Sequence, residues 1–173
     1  YIKFHIKVRN MGKRKNKKIL IFGGTGFLGN SLIKLLLKMD AEIILFTRII
    51  NSGKSIQKYK SKPNIKIVHW NFTDHELIKE NILNSDCIIN LCGILYENRN
   101  DDFFRIHSDF PALLGKLSSK NNLNSLIHVS ALGVSEFSES KYSKSKAKGE
   151  RKLLENFPNG KIIRPSLLFG KGD

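Results

Sequence analysis

The sequence predicts an α/β protein built on a doubly wound parallel sheet, and three observations carry that prediction. Short apolar runs recur along the 173 residues and alternate with segments of helical period. The first run breaks into a glycine-spaced turn that opens a helix. No apolar run approaches the roughly 18 residues that a bilayer crossing requires. Strands buried on both faces read as continuous apolar stretches, and strands alternating with helices pair in parallel with helices on both sides. The length suits one domain with a proper core.

Taken in order, residues 19–22 (ILIF) form the first strand and Gly23, Gly26 and Gly29 the turn, with Leu28, Leu32, Leu35 and Leu36 spaced as one helix face. The first glycine permits the turn, the second lets backbone amides approach a pyrophosphate, and the third lets the helix pack closely. The helix directs its positive end at that point, so the turn is an anion site. Gly23, Thr25, Gly26, Phe27, Leu28 and Gly29 are therefore candidate dinucleotide ligands.

The second strand, 42–46, ends at Thr47-Arg48. An acidic residue about 20 positions past the glycines would bind a ribose 2′-hydroxyl, whereas a cation suits a 2′-phosphate, so Arg48 favours NADP(H) over NAD(H), the latter being the alternative. Residues 49–64 read as loop and irregular helix. A third strand, 65–70, delivers Asn71 to the adenine region, and Thr73 or Asp74 caps a helix over 76–83. The fourth strand, 87–93, carries Asn90 and Gly93 to the switch point of the sheet. It also holds Cys87 and Cys92 at an odd separation, on opposite faces, which precludes a disulfide between them. Residues 103–120 are mostly helical, and Pro111 places a helix start near Ser108 or Asp109. A fifth strand at 126–130, a Lys-rich helix at 141–157 and a sixth strand at 161–165 complete the order 3-2-1-4-5-6.

The formal charge is +15, and eight basic residues (Lys3, Lys7, Arg9, Lys13, Arg14, Lys15, Lys17, Lys18) crowd the first 18 positions without an acid. Residues 1–17 read as a disordered, solvated leader, the alternative being an arm that touches anionic membrane. Beyond it the basic residues scatter and no nucleic-acid motif follows, so no nucleic-acid partner is expected. The reading is of a cytoplasmic protein, with the inner face of the membrane as the leader's alternative contact.

Together the runs GGTGFLG (23–29), NLCG (90–93), HVSA (128–131), YSKSK (142–146) and RPSLLFG (164–170) resemble the successive signatures of short-chain dehydrogenase/reductases. The longer runs NLCGILYE, HVSALG, YSKSKAKGE and RPSLLFGKGD are similar to bacterial relatives of the nucleotide-binding accessory subunit of respiratory complex I. The resemblance implies a Rossmann domain over 18–173, cofactor contacts at Pro165 as well as at Asn90 and Gly93, and a site made by Tyr142, Lys146 and Ser130. In such sites the tyrosine moves a proton at the substrate oxygen, and the lysine one turn on lowers its pKa and holds the nicotinamide ribose. Ala131 following Ser130, and His107 in place of the usual asparagine, depart from the active pattern. The expected protein binds NADP(H), serves stability or assembly, and has complex I subunits as partners. The alternative is an active oxidoreductase, epimerase or dehydratase using Tyr142 and Lys146. Extended members also carry a C-terminal substrate segment, so a chain ending at Asp173 is expected to be truncated there.

Overall fold

The computed structural model describes residues 16–48, 54–98 and 102–170. Six parallel strands, β1 (Lys18–Phe22), β2 (Glu42–Thr47), β3 (Ile65–His69), β4 (Cys87–Asn90), β5 (Ser125–Val129) and β6 (Lys161–Ile163), pair in the order β3-β2-β1-β4-β5-β6. The order reverses between β1 and β4, so a crevice opens at the carboxyl ends of these strands. The leader up to residue 15 and the loop 49–53 lie outside the described residues.

Strand alternation separates two chemically different cores. Leu20 and Phe22 of β1 and Ile44 and Phe46 of β2 face one side, where Trp70, Phe110, Leu114, Leu126 and Leu153 join them. Phe22 and Phe46 are in register on neighbouring strands and stack with ring centroids 4.5 Å apart. On the other side Ile19, Ile21, Ile43 and Leu45 pack with Ile33 and Tyr59 in a mainly aliphatic layer. Full burial of one such side chain is worth about 1.5–3 kcal/mol. Cys87 packs against the aliphatic layer and Cys92 against the aromatic one, and both are free thiols. Strand β4 ends at Asn90, so Cys92 reaches its side from the following loop rather than from a strand.

The helices are α1 (Phe27–Leu37), α2 (Lys54–Lys60), α3 (His75–Ile82), α4 (Asp102–Phe104), α5 (Phe110–Lys120) and α6 (Lys141–Asn156). Three expectations need correction. Residues 54–60, read as irregular, form a regular helix that inserts Tyr59 into the aliphatic layer. Asp74 occupies the N-cap position of α3, but its carboxylate accepts the Asn71 N–H at 2.9 Å instead of capping the helix. The third concerns the break expected ahead of Pro111: α5 does start next to Asp109, with the proline in its first turn, but a π-helical turn, Arg105–Asp109, joins it to α4 without interruption. Pro111 has no N–H for the His107 carbonyl, and the wider π turn accommodates that missing bond. Among the described residues no helix is long and apolar enough to cross a membrane.

Candidate functional site

At the head of the site the three expected glycines do three different things. Gly23 has φ of +75°, and a Cβ there would meet the Leu91 carbonyl carbon at 2.8 Å. Gly29 is pressed against Gly24, where an added Cβ would lie 2.4 Å from its Cα, so helix α1 packs onto the turn itself. Gly26 is the exposed one: a Cβ there would meet only the Gly23 oxygen, at 3.4 Å. It is also the N-cap of α1, where no side chain caps the helix and no acid stands in the first turn. The uncapped end and bare turn fit a diphosphate group, which accepts hydrogen bonds from such amides. Thr25 is braced from behind, since Asn30 donates to its carbonyl at 3.3 Å and Tyr59 donates to Asn30 at 2.8 Å. Phe27 is approached by the far end of the chain, a Cβ on Gly170 lying 3.5 Å from its ring.

A cavity of about 450 Å³ opens beside the ends of β2 and β3, lined by Arg48, Asn71, Phe72, Thr73, Asp102 and Arg105. The Phe72 ring carries two guanidinium groups, Arg48 at 5.0 Å and Arg105 at 5.4 Å. Sequence reading identified Arg48 and Asn71 but missed Phe72 and Arg105. Arg105 pairs with the buried Asp102 and projects from the π turn, a placement with no local sequence signal. The Asn71 side-chain oxygen takes the Thr73 N–H at 2.9 Å, which rigidifies this rim.

The second half of the site lies at the ends of β4 and β5. Ser140 caps α6, whose second residue is Tyr142. One turn later Lys146 is buried, 5% exposed, and its ammonium donates to the Val129 carbonyl at 3.3 Å and lies 5.8 Å from the Tyr142 ring centroid. Burial is the main cause that lowers Lys146 to about 8. Burial also raises the Tyr142 phenol, opposite to the activation that the resemblance implies. Ser130 is 4% exposed, and among the described residues its hydroxyl finds no hydrogen-bond partner. Gly93 lies over the lysine, with a Cβ there only 3.4 Å from Lys146 Nζ.

Asn90 ends β4 at the switch point of the sheet. Its side chain is fully buried, accepting from the Cys92 N–H at 3.0 Å and meeting His128 Nδ1 at 3.1 Å, so it braces the strand ends. Pro165 acts through its carbonyl, which accepts the Leu132 N–H at 2.9 Å. Arg164 beside it clasps the buried Glu150 carboxylate of α6, with Nε 2.9 Å from Oε1. His107 and His128 are both wholly buried, and desolvation, with Lys146 as a further cause, lowers each to about 3.

The sequence model of the NmrA-like family matches residues 15–102, just over half of the 173 residues. The chain belongs to that family. This NmrA-like chain is also 32% identical over 154 residues to the mouse protein named NADH dehydrogenase (ubiquinone) 1 alpha subcomplex subunit 9, mitochondrial, covering 88% of itself and 41% of the relative. With the protein of the same name from Dictyostelium discoideum the identity is 34%, over 88% of the chain and 43% of the relative. The chain thus spans about two fifths of the length of these relatives. A dTDP-glucose 4,6-dehydratase from Bacillus anthracis, solved in complex with NAD, superimposes with a TM-score of 0.71 at 23% identity, covering 90% of the NmrA-like chain and 56% of the other. At that identity the likeness establishes the shared fold.

Proposed function

We propose that the chain binds a nicotinamide dinucleotide, NADP(H) in preference to NAD(H), and serves in the stability or assembly of a larger complex, with respiratory complex I subunits as its partners. The observation that carries the cofactor reading is the turn at Gly26, where among the described residues no side chain caps α1, together with the two guanidiniums that face the cavity at the ends of β2 and β3. The amides of Thr25 to Gly29 hold the diphosphate, Asn71 and Phe72 flank the adenine, and Arg48 with Arg105 neutralises the 2′-phosphate. Lys146 and the Gly93 backbone receive the nicotinamide ribose. The relatives named as complex I subunits support the assembly role. When bound, the dinucleotide supplies hydride chemistry. Ala131 after Ser130, His107 in place of the usual asparagine, and the raised Tyr142 phenol argue for little turnover. Titration with NADPH and NADH tests this reading: tighter binding of NADPH that Arg48→Ala weakens supports it, and equal affinities overturn the phosphate assignment.

A second reading keeps Tyr142 as acid/base, Lys146 as its activator and Ser130 as a polar stabiliser of an active oxidoreductase, epimerase or dehydratase. The buried Lys146 next to the Tyr142 ring favours it. Turnover of a carbonyl or nucleotide-sugar substrate that Tyr142→Phe eliminates would establish this alternative.

A further inference from the structure

We infer that His107 is a positioning residue, held with its proton on Nδ1, that locks the loop after β4 to the helix carrying Tyr142 and Lys146. The direction of each hydrogen bond leads to that tautomer. The Ile94 backbone N–H can only donate, and it meets His107 Nε2 at 3.0 Å, so Nε2 is the unprotonated nitrogen. The proton is then on Nδ1, 3.0 Å from Ser145 Oγ. Ser145 in turn donates its hydroxyl hydrogen to the Tyr142 carbonyl at 2.8 Å, leaving its oxygen lone pairs to receive the imidazole proton. The run from Ile94 to Tyr142 has a donor at one end and an acceptor at the other, with every link satisfied. An imidazolium would have no lone pair for the Ile94 amide, and the opposite tautomer would set two donors against each other.

The backbone of His107 grips the same helix at a second point. Pro111 cannot donate to the His107 carbonyl, and that oxygen is turned against Gly149, where a Cβ would lie 1.7 Å from it. Ser145 and Gly149 are one turn apart on α6, so side chain and carbonyl together fix both the height and the rotation of the helix against the π turn. Phe103 stacks on the imidazole at 5.3 Å and the Tyr142 ring meets its edge at 5.3 Å, leaving the ring no other orientation. Gly93, which precedes the anchored Ile94, is thereby held against the Lys146 ammonium. A dinucleotide's nicotinamide ribose would have to fit this spacing, which rests on the proposed cofactor reading, whereas its adenosine end lies in the other half of the site.

Long-range proton–nitrogen NMR of the full chain labelled in histidine nitrogen, with His107 assigned by its loss in His107→Gln, tests the tautomer without any cofactor. A protonated Nδ1 with a bare Nε2 is expected, and a protonated Nε2 overturns the inference. Titrations with NADPH and with adenosine 2′,5′-bisphosphate, which carries the adenosine half alone, test the positioning role. His107→Gln is expected to weaken NADPH about tenfold, the equivalent of one hydrogen bond of about 1.4 kcal/mol, and to leave the bisphosphate unchanged. Ser145→Ala removes the Nδ1 partner and should give the same split, so a His107 variant that fails to fold does not decide the matter. Equal loss for both probes would reduce His107 to a core residue. Failure of the wild-type chain to bind NADPH would instead remove the cofactor reading, and the NMR result would still judge the tautomer.

Discussion

The two halves of the site hold charge in opposite ways. At the ends of β2 and β3, Arg48 and Arg105 are exposed around an open cavity and are spread over the face of Phe72. At the ends of β4 and β5, Lys146, His107, His128 and Ser130 are almost entirely withdrawn from water. An exposed cation attracts a phosphate at little cost to the fold, but salt screens it. A buried polar group costs stability unless it is paired, and in return its position is fixed. The first half is therefore suited to recognising a charge and the second to holding a geometry. Breaking a paired contact in the second should be felt in the fold, and perturbing the first only in binding.

At neutral pH the largest expected effect comes from Gly149→Ala. Its new methyl would collide with the His107 carbonyl, a backbone atom that cannot swing aside, and should cost about 3 kcal/mol by denaturant unfolding. An unchanged unfolding midpoint would show that α6 and the π turn are free to separate. Lowering the pH brings in a second effect, acid sensitivity. His107 and His128 stay neutral down to about 3 when folded but take up protons near 6.5 when unfolded. Between those limits the unfolded chain binds more protons, so stability falls as pH drops below 6.5, by up to about 1.4 kcal/mol per pH unit for each histidine. Urea unfolding from pH 7 to 4 measures this slope, and His107→Gln should remove one histidine's share.

In the exposed half, Arg48→Ala should leave the unfolding midpoint in place and lower the preference for NADPH over NADH about tenfold, since a charged hydrogen bond is worth about 1.5–3 kcal/mol before screening. Raising the salt should weaken wild-type NADPH binding in the same direction, and calorimetry at two ionic strengths reads both. The smallest effect belongs to Ser130→Ala. Deleting a buried hydroxyl that has no partner should change stability by no more than about 0.5 kcal/mol. A loss well beyond that would reveal a bond to Ser130 and bring it back into the catalytic reading.

Much of this molecule is legible in its sequence because the governing interactions are local. The strand, turn and helix of residues 18–37 follow from apolar runs and glycine spacing, and the sheet order follows from alternating strands and helices with right-handed crossovers. Arg48 is readable because its distance from the glycines along the chain sets its place in the crevice. Tyr142 and Lys146 are readable as a pair through the resemblance of the YSKSK run to a known signature, with which their shared helix face agrees. Arg105, by contrast, reaches the Arg48 cavity only because the chain folds back from β4, and no spacing rule connects the two. Pro111 was legible as a helix breaker, yet the packing of α6 against the π turn lets the helix run through it. The contacts of Asn90 also depend on a distant partner, His128.

By itself, then, the sequence determined the parallel sheet, the glycine turn and the residue types carried to the crevice, since backbone conformation and burial are set by neighbours along the chain. Only the tertiary structure decided which polar groups are paired, which imidazole nitrogen bears a proton and which cations share a cavity. Those outcomes depend on desolvation and on contacts between segments far apart in the chain, and a linear order of residues does not encode their distances.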